Sequence, residues 1–432
     1  MKNYLRVSLL SILALVVVMI SCKDDDEPAP TTGTLLGNVT DAASGVALAN
    51  VQVIVFDAST NSPTGNNALT DASGNYTIEL NPGNYFVKAS KQGYEKSPPS
   101  TVTPISFSIT AGIQTTKDIE MFESSITNGG WITGTVNVGG TAVPGALVVA
   151  DDGAGNGYSS VSGSDGKYSI FNVPAGDYSV NAWIRGFNST EVTATVSAGT
   201  ETMSTNITSA QDATGTVGGQ ITFLATGNIE VDVALTHPAT GETIPGLSTT
   251  TVSSAYVLSN VPDGTYLARA SYDNDGIVMD PDWIIKNGEP FVTVDGGAID
   301  RPFSVTNSVV VVSPSNDANS VVPASVISTT PTFEWTAYSS TSDYVIEVTD
   351  GNGNLIWGGI DNSGVDPVKN VIIPSSQLSV VFNFDGTASI SELVSGKTYR
   401  WRVYASKDSQ QSTVGWELIS VSEDQRGLFT VL

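Results

Sequence analysis

The sequence predicts an all-β chain built from tandem β-sandwich domains. Three observations carry this. Only 14% of the 432 residues are charged, while Gly, Ser, Thr and Val are abundant. That balance suits pleated strands joined by tight turns. No long stretch carries a helical hydrophobic period. A tyrosine-containing hairpin pattern also recurs about every 90 residues, which marks an array of similar units. The length accommodates about three or four of them.

The first element lies outside any sandwich. Lys2 and Arg6 precede the apolar run 7–20, and Ser21-Cys22 follows it. A basic start, about fifteen apolar residues and a small residue at the processing point read as a secretory signal. The run falls short of the roughly 20 apolar residues that a spanning helix needs. Cys22 is the only cysteine in the chain. Its place after Ser21 makes residues 1–21 resemble a bacterial lipoprotein signal peptide, with Met19 where that family prefers Leu. The resemblance implies that Cys22 becomes the first mature residue, carries acyl chains and anchors the chain in outer-membrane lipid. The alternative is an ordinary signal peptide beside an incidental cysteine.

Residues 22–32 form an acidic tether. Asp24, Asp25, Asp26 and Glu27 repel one another, and Pro28 and Pro30 favour extended chain. Acidic residues directly behind the lipidated cysteine resemble the export tag of surface lipoproteins. That likeness implies an outer-membrane, surface-exposed location.

Residues 33–123 and 129–210 hold the two clearest repeat copies. Thr70-Asp71-Ala72-Ser73-Gly74-Asn75-Tyr76 opens a hairpin, and Pro82-Gly83-Asn84-Tyr85 turns it. Ser164-Asp165-Gly166-Lys167-Tyr168 and Pro174-Ala175-Gly176-Asp177-Tyr178 do the same in the second copy. The glycine permits a turn of positive φ. Tyr76, Ile78 and Leu80 then alternate along one strand face, and Tyr85, Val87 and Ala89 along the return strand. Residues 214–306 hold a worn third copy with Tyr256, Pro262, Gly264 and Tyr266, in which Ser254 replaces the turn glycine. With Gly93-Tyr94 and Gly186-Phe187 at the exits, this pattern resembles the carboxypeptidase regulatory-like domain. The resemblance implies a transthyretin-like sandwich of about seven strands and a non-catalytic role.

Residues 307–432 read differently. Phe333 and Trp335 place aromatics on one face of a strand. Leu393-Val394-Ser395-Gly396-Lys397-Thr398-Tyr399 precedes another strand. This resembles a fibronectin type III sandwich with its tyrosine corner, where the Tyr hydroxyl bonds upstream backbone. The likeness implies structural roles for Trp335 and Tyr399. The stretch around 371–391 is longer than the family pattern.

Chemistry is sparse. His237, in a turn-like Thr-His-Pro-Ala-Thr-Gly, is the only histidine. With one His and no free thiol, nucleophile–base triads and His/Cys zinc sites lack their residues. No spacing singles out a carboxylate pair. Asp350-Gly351-Asn352-Gly353-Asn354 starts like a calcium loop but lacks the later Glu, so a hairpin turn is the simpler account. No metal, cofactor or enzymatic activity is expected. A net charge of −25 repels nucleic acid.

Aromatics are the candidate ligand platforms, because flat rings match the apolar faces of sugars. Trp183 aligns with Ser90 and Ser271, Trp283 lies in a long segment of the third copy, and Trp357 sits on a strand beside a turn. Each has three readings: ligand contact, core packing, or contact with a neighbouring unit. The whole then reads as three units forming a stalk beneath a distal fourth. Its expected role is non-catalytic binding or adhesion, with surface glycan the favoured ligand. A scaffold or protein-interaction role within an outer-membrane complex is the alternative.

Overall fold

The computed structural model describes residues 30–432, apart from segments 59–61, 99–103, 105, 204, 225–229, 252, 271–275, 283–289, 317–322, 352, 365 and 424–425. The chain is nearly all β. Each of the first three units pairs two antiparallel-dominated sheets across an apolar core. In unit one, Gly33–Asp41 pairs with Asn75–Leu80, and runs parallel to Gln114–Thr116 and Ile119–Met121. The opposing sheet runs Ser62–Leu69, Gln52–Asp57, Gly83–Lys91, Tyr94–Ser97. Unit two repeats this, with Gly130–Val138 against Lys167–Val173 and a second sheet of Gly157–Val161, Leu147–Asp151, Gly176–Trp183 and Val192–Val196. Unit three repeats it again around Gly215–Phe223, despite the worn sequence.

The repeated tyrosines explain the repeat. In each copy the first Tyr faces a glycine across the strand pair: Gly37 and Tyr76, Gly134 and Tyr168, Gly219 and Tyr256. Its hydroxyl crosses that glycine to a carbonyl on the far side, Lys117 at 2.6 Å, Thr205 at 2.5 Å and Arg301 at 2.8 Å. A Cβ on Gly37 would lie 1.9 Å from the Lys117 oxygen, so only glycine fits. The second Tyr of each copy bonds the carbonyl four residues back, at Asn81, Pro174 and Pro262. Each buried phenol is thus satisfied without water.

Unit four joins a three-stranded sheet, Val311–Ser313, Thr332–Trp335 and Ser379–Val381, to a seven-stranded one centred on Asp343–Asp350 and Thr398–Asp408. Phe333, Trp335, Trp357, Trp401 and Phe429 fill its core. The Tyr399 hydroxyl accepts from the Val394 amide at 2.9 Å, the backbone contact expected of it.

The first three units do not form a simple stalk. The Thr243–Thr251 strand of unit three lies beside Ser62–Leu69 of unit one, so the first unit reaches the third. The cause is visible in the strands. Leu147–Asp151 is buried on both faces: Val148 and Ala150 enter the core of unit two, while Leu147 and Val149 enter that of unit three. A continuous apolar run is what a strand covered on both faces requires.

Candidate functional site

The structure builds its most organised polar and aromatic chemistry at the joints between units. Each joint uses the same device. The exit turns place Gly93, Gly186 and Gly276 at φ near +90°, the region glycine adopts freely. The amide of each turn donates into the following unit. Gly93 donates to the Asn172 Oδ1 at 2.6 Å, Gly186 to the Asn260 carbonyl at 2.8 Å, and Gly276 to the Glu423 carboxylate.

Asn172 and Asn260 occupy matching positions, both left-handed at φ 57°, at irregularities in the Lys167–Val173 and Ala255–Val261 pairings. Such bulges re-aim the local backbone. Unit one has one residue fewer between Pro82 and Tyr85 than the other copies have between proline and tyrosine, and it has no asparagine at positive φ there. Asn172 also donates through Nδ2 to the Tyr94 carbonyl at 2.7 Å, and its own amide donates to Gln92 at 3.0 Å. At the next joint Arg185 donates to the Ser259 carbonyl at 3.0 Å and its hydroxyl at 2.8 Å. At the last, Ser420 Oγ donates to Asn307, the end of the Phe303–Asn307 strand of unit three, at 2.6 Å, and the Thr306 and Tyr338 hydroxyls meet at 3.1 Å.

The three first units meet at one buried ionic cluster. Glu242, 3% exposed, accepts from Lys96 Nζ of unit one at 2.9 Å through one oxygen. Its other oxygen accepts from Ser159 of unit two at 2.9 Å, and Lys96 also donates to Ser159 at 2.6 Å. Burial would raise the Glu242 carboxyl, but Lys96, Lys88 and the hydrogen bonds from Lys96 and Ser159 outweigh it and hold it at about 2. Lys88 packs its ammonium 5.2 Å above the Phe56 ring, which stacks on Phe86 at 4.9 Å against Val161 of unit two. Burial pushes the Lys88 ammonium below its usual range, with Glu242 opposing.

Of the aromatic candidates, Trp183 is a packing residue rather than a ligand platform. It pairs across the sheet with Leu147 and packs on the core of unit three. Its ring meets Tyr266 at 5.5 Å and His237 at 5.4 Å, both edge-on. A Cβ on Gly264 would lie 2.4 Å from the indole, so the turn glycine of unit three makes room for it. Trp183 points away from its own core, and a neighbouring unit covers it. For Trp357 the structure selects core packing among the three readings. Trp357 is 1% exposed, roofed by Phe382 and Phe384, and its Nε1 donates to Asp385 at 2.9 Å. Those three residues belong to the long stretch around 371–391, which seals the ring the sequence left open. Trp283 and Cys22 lie outside the described residues.

The Asp350 loop closes on itself. Asp350 accepts from the Asn354 amide and side chain, both at 2.9 Å, and Asp152 makes the same pair of bonds with Asn156. Among the described residues no three His, Cys, Asp or Glu side chains group as a metal site. Sequence reasoning missed the joint residues. The signals present were the Asn-Val-Pro triplets at 172–174 and 260–262 and the non-alternating run 146–150.

Residues 34–121 and 131–209 match the carboxypeptidase regulatory-like domain. No curated protein matches the chain. Among solved structures, the TIE protein of Bacillus anthracis is 15% identical, covering 64% of this chain and 51% of its own, with a TM-score of 0.18. This chain therefore spans about half the length of that protein. The shaft pilin SpaA of Lactobacillus rhamnosus GG is 10% identical over 42% of this chain and 98% of its own, at TM-score 0.19. A leucine-rich repeat protein of Bacteroides thetaiotaomicron is 14% identical over 42% and 27%, at 0.22. At these scores the likenesses carry no assignment of activity or ligand.

Proposed function

We propose that this chain is a non-catalytic surface lipoprotein whose jointed β-sandwiches hold the C-terminal unit in a fixed orientation to the first unit, at a distance from the membrane. The observation that carries the reading is the repeated joint: every exit turn donates its glycine amide into the next unit. Flexible linkers between independent domains would leave those amides to water. Anchoring follows from the lipoprotein-like segment ending at Cys22. Two or more acyl chains give a stable anchor, at about 0.8 kcal/mol per buried CH₂. Single-particle images of the full chain in detergent should show one particle shape. A wide spread of angles between units would overturn the rigid support. Palmitate labelling that persists in Cys22→Ala would remove the anchor.

Glycan recognition is the finer reading that began with the aromatic candidates. Trp183 and Trp357 are committed to packing, so it now rests on Trp283. Saturable binding to a glycan panel that disappears in Trp283→Ala would establish it. Absence of binding at millimolar sugar would leave the support role alone.

A further inference from the structure

The His237–Glu242 loop of unit three is a plug inserted between units one and two. It is closed by its own backbone: the His237 amide donates to the Glu242 carbonyl at 2.8 Å, and the Gly241 amide donates to the His237 carbonyl at 2.8 Å. Its tip presses on Gly157 of unit two, where a Cβ would lie 2.7 Å from Thr240 and 2.9 Å from Ala239. Its two titratable side chains sit at opposite ends, and both are buried. His237 packs edge-on against Trp183 of unit two and accepts from the Ala239 amide through Nδ1 at 3.2 Å. The charged groups facing it are Asp151 and Glu242. Glu242 faces Lys96 and Lys88 of unit one and Ser159 of unit two.

We propose that this loop is an acid-released clasp: the first three units stay folded together while His237 is neutral and Glu242 is charged, and uptake of a proton at either group favours their parting.

The geometry makes both protonations act in one direction. Protonating the buried His237 at Nδ1 would break the bond it accepts from the Ala239 amide and leave a charge with little access to water. A protonated Glu242 no longer balances Lys96 and Lys88, and leaves two ammonium groups facing each other without a counter-charge. Burial lowers His237 from 6.5 to about 4 in the closed state, with Asp151 and Glu242 opposing. Glu242 lies at about 2, below its ordinary 4.5. The open state therefore binds more protons than the closed one in both windows. For His237 the closed state is fully favoured above about 6.5 and loses ground down to about 4. For Glu242 the loss begins near 4.5 and continues towards 2. Each group can move the closed-to-open equilibrium by about 100-fold.

The test is a pulsed electron-resonance distance in the full chain. Cys22→Ser removes the native thiol, and Asn66→Cys with Ala255→Cys labels exposed positions on units one and three. A second pair, Asn66→Cys with Thr77→Cys, reports on unit one alone. The clasp predicts a single narrow distance between units at pH 7.5, which lengthens and broadens between pH 6 and 4 and recovers on neutralisation. The distance within unit one should not change. His237→Asn keeps an acceptor for Ala239 but does not titrate, so it should shift opening to lower pH. Glu242→Gln should populate the long distance already at pH 7.5. An unchanged distance down to pH 4 overturns the proposal. So does opening of His237→Asn at the wild-type pH, or loss of the within-unit distance together with the other.

Discussion

At the scale of the residue, the joints separate two jobs that asparagine can do. Asn172 and Asn260 share a left-handed backbone, but only Asn172 uses its side chain, to Gly93 and Tyr94. Asn260 offers its backbone carbonyl, and its side chain is exposed. Glycine satisfies the backbone requirement without the Cβ penalty of about 1 kcal/mol. Asn260→Gly should therefore leave the unfolding free energy unchanged or slightly raised. Asn172→Gly should lower it by about 1–3 kcal/mol, because two hydrogen bonds at a partly buried joint are lost. Equal effects at the two sites, in denaturant titrations of both variants, would contradict the division. Trp183→Ala should cost about 3 kcal/mol through the cavity left on unit three. Any sugar affinity the chain possesses should be unaffected by it.

At the scale of the element, the stretch around 371–391 works as a seal on the Leu355–Gly358 strand. It roofs Trp357 with two phenyl rings, accepts its indole N–H through Asp385, and ties Ser389 to the Ile356 carbonyl at 2.9 Å. Asp385→Ala would strand a buried N–H, at about 1–3 kcal/mol. Asp385→Asn keeps an acceptor and should cost less than half of that. Thermal unfolding of the two variants side by side decides it, and equal losses would show that the carboxylate charge, not the hydrogen bond, matters. This element also shows what the sequence could and could not reveal. Tyr76, Gly83 and Tyr85 announced their hairpin because their periodicity and turn chemistry are local. Trp357 kept three readings open because its roof lies about thirty residues away, in a segment without regular alternation. Trp183 aligns with serines in the other copies, but that alignment says nothing about what a neighbouring unit covers. The run 146–150 carried that information, since a strand apolar on both faces needs two partners. His237 read as a turn, and it is one; the burial of that turn among three units depends on how they fold together, which no local pattern encodes.

At the scale of the whole molecule, the joints differ in kind, and that difference predicts how the chain unfolds. Units two and three share apolar core, with Leu147 and Val149 of one inside the cluster of the other. Units one and two share Phe56, Phe86 and Val161, and unit one reaches unit three through Lys96 and Glu242. Losing any one of these units exposes apolar surface or an unbalanced charge on the others. The joint to unit four is instead made of hydrogen bonds from small polar groups: Ser420 to Asn307, Thr306 with Tyr338, and Gly276 to Glu423. Water can replace those bonds at a net cost of about 1 kcal/mol each. Scanning calorimetry of the full chain at pH 7.5 should therefore show two transitions, one for units one to three together and one for unit four. Glu242→Gln should split or broaden the first and leave the second in place. Four separable transitions would mean that the units merely touch. A single transition would mean that the polar joint couples as strongly as the apolar ones, and that burial of Ser420 and Glu423 stabilises far more than their hydrogen bonds account for.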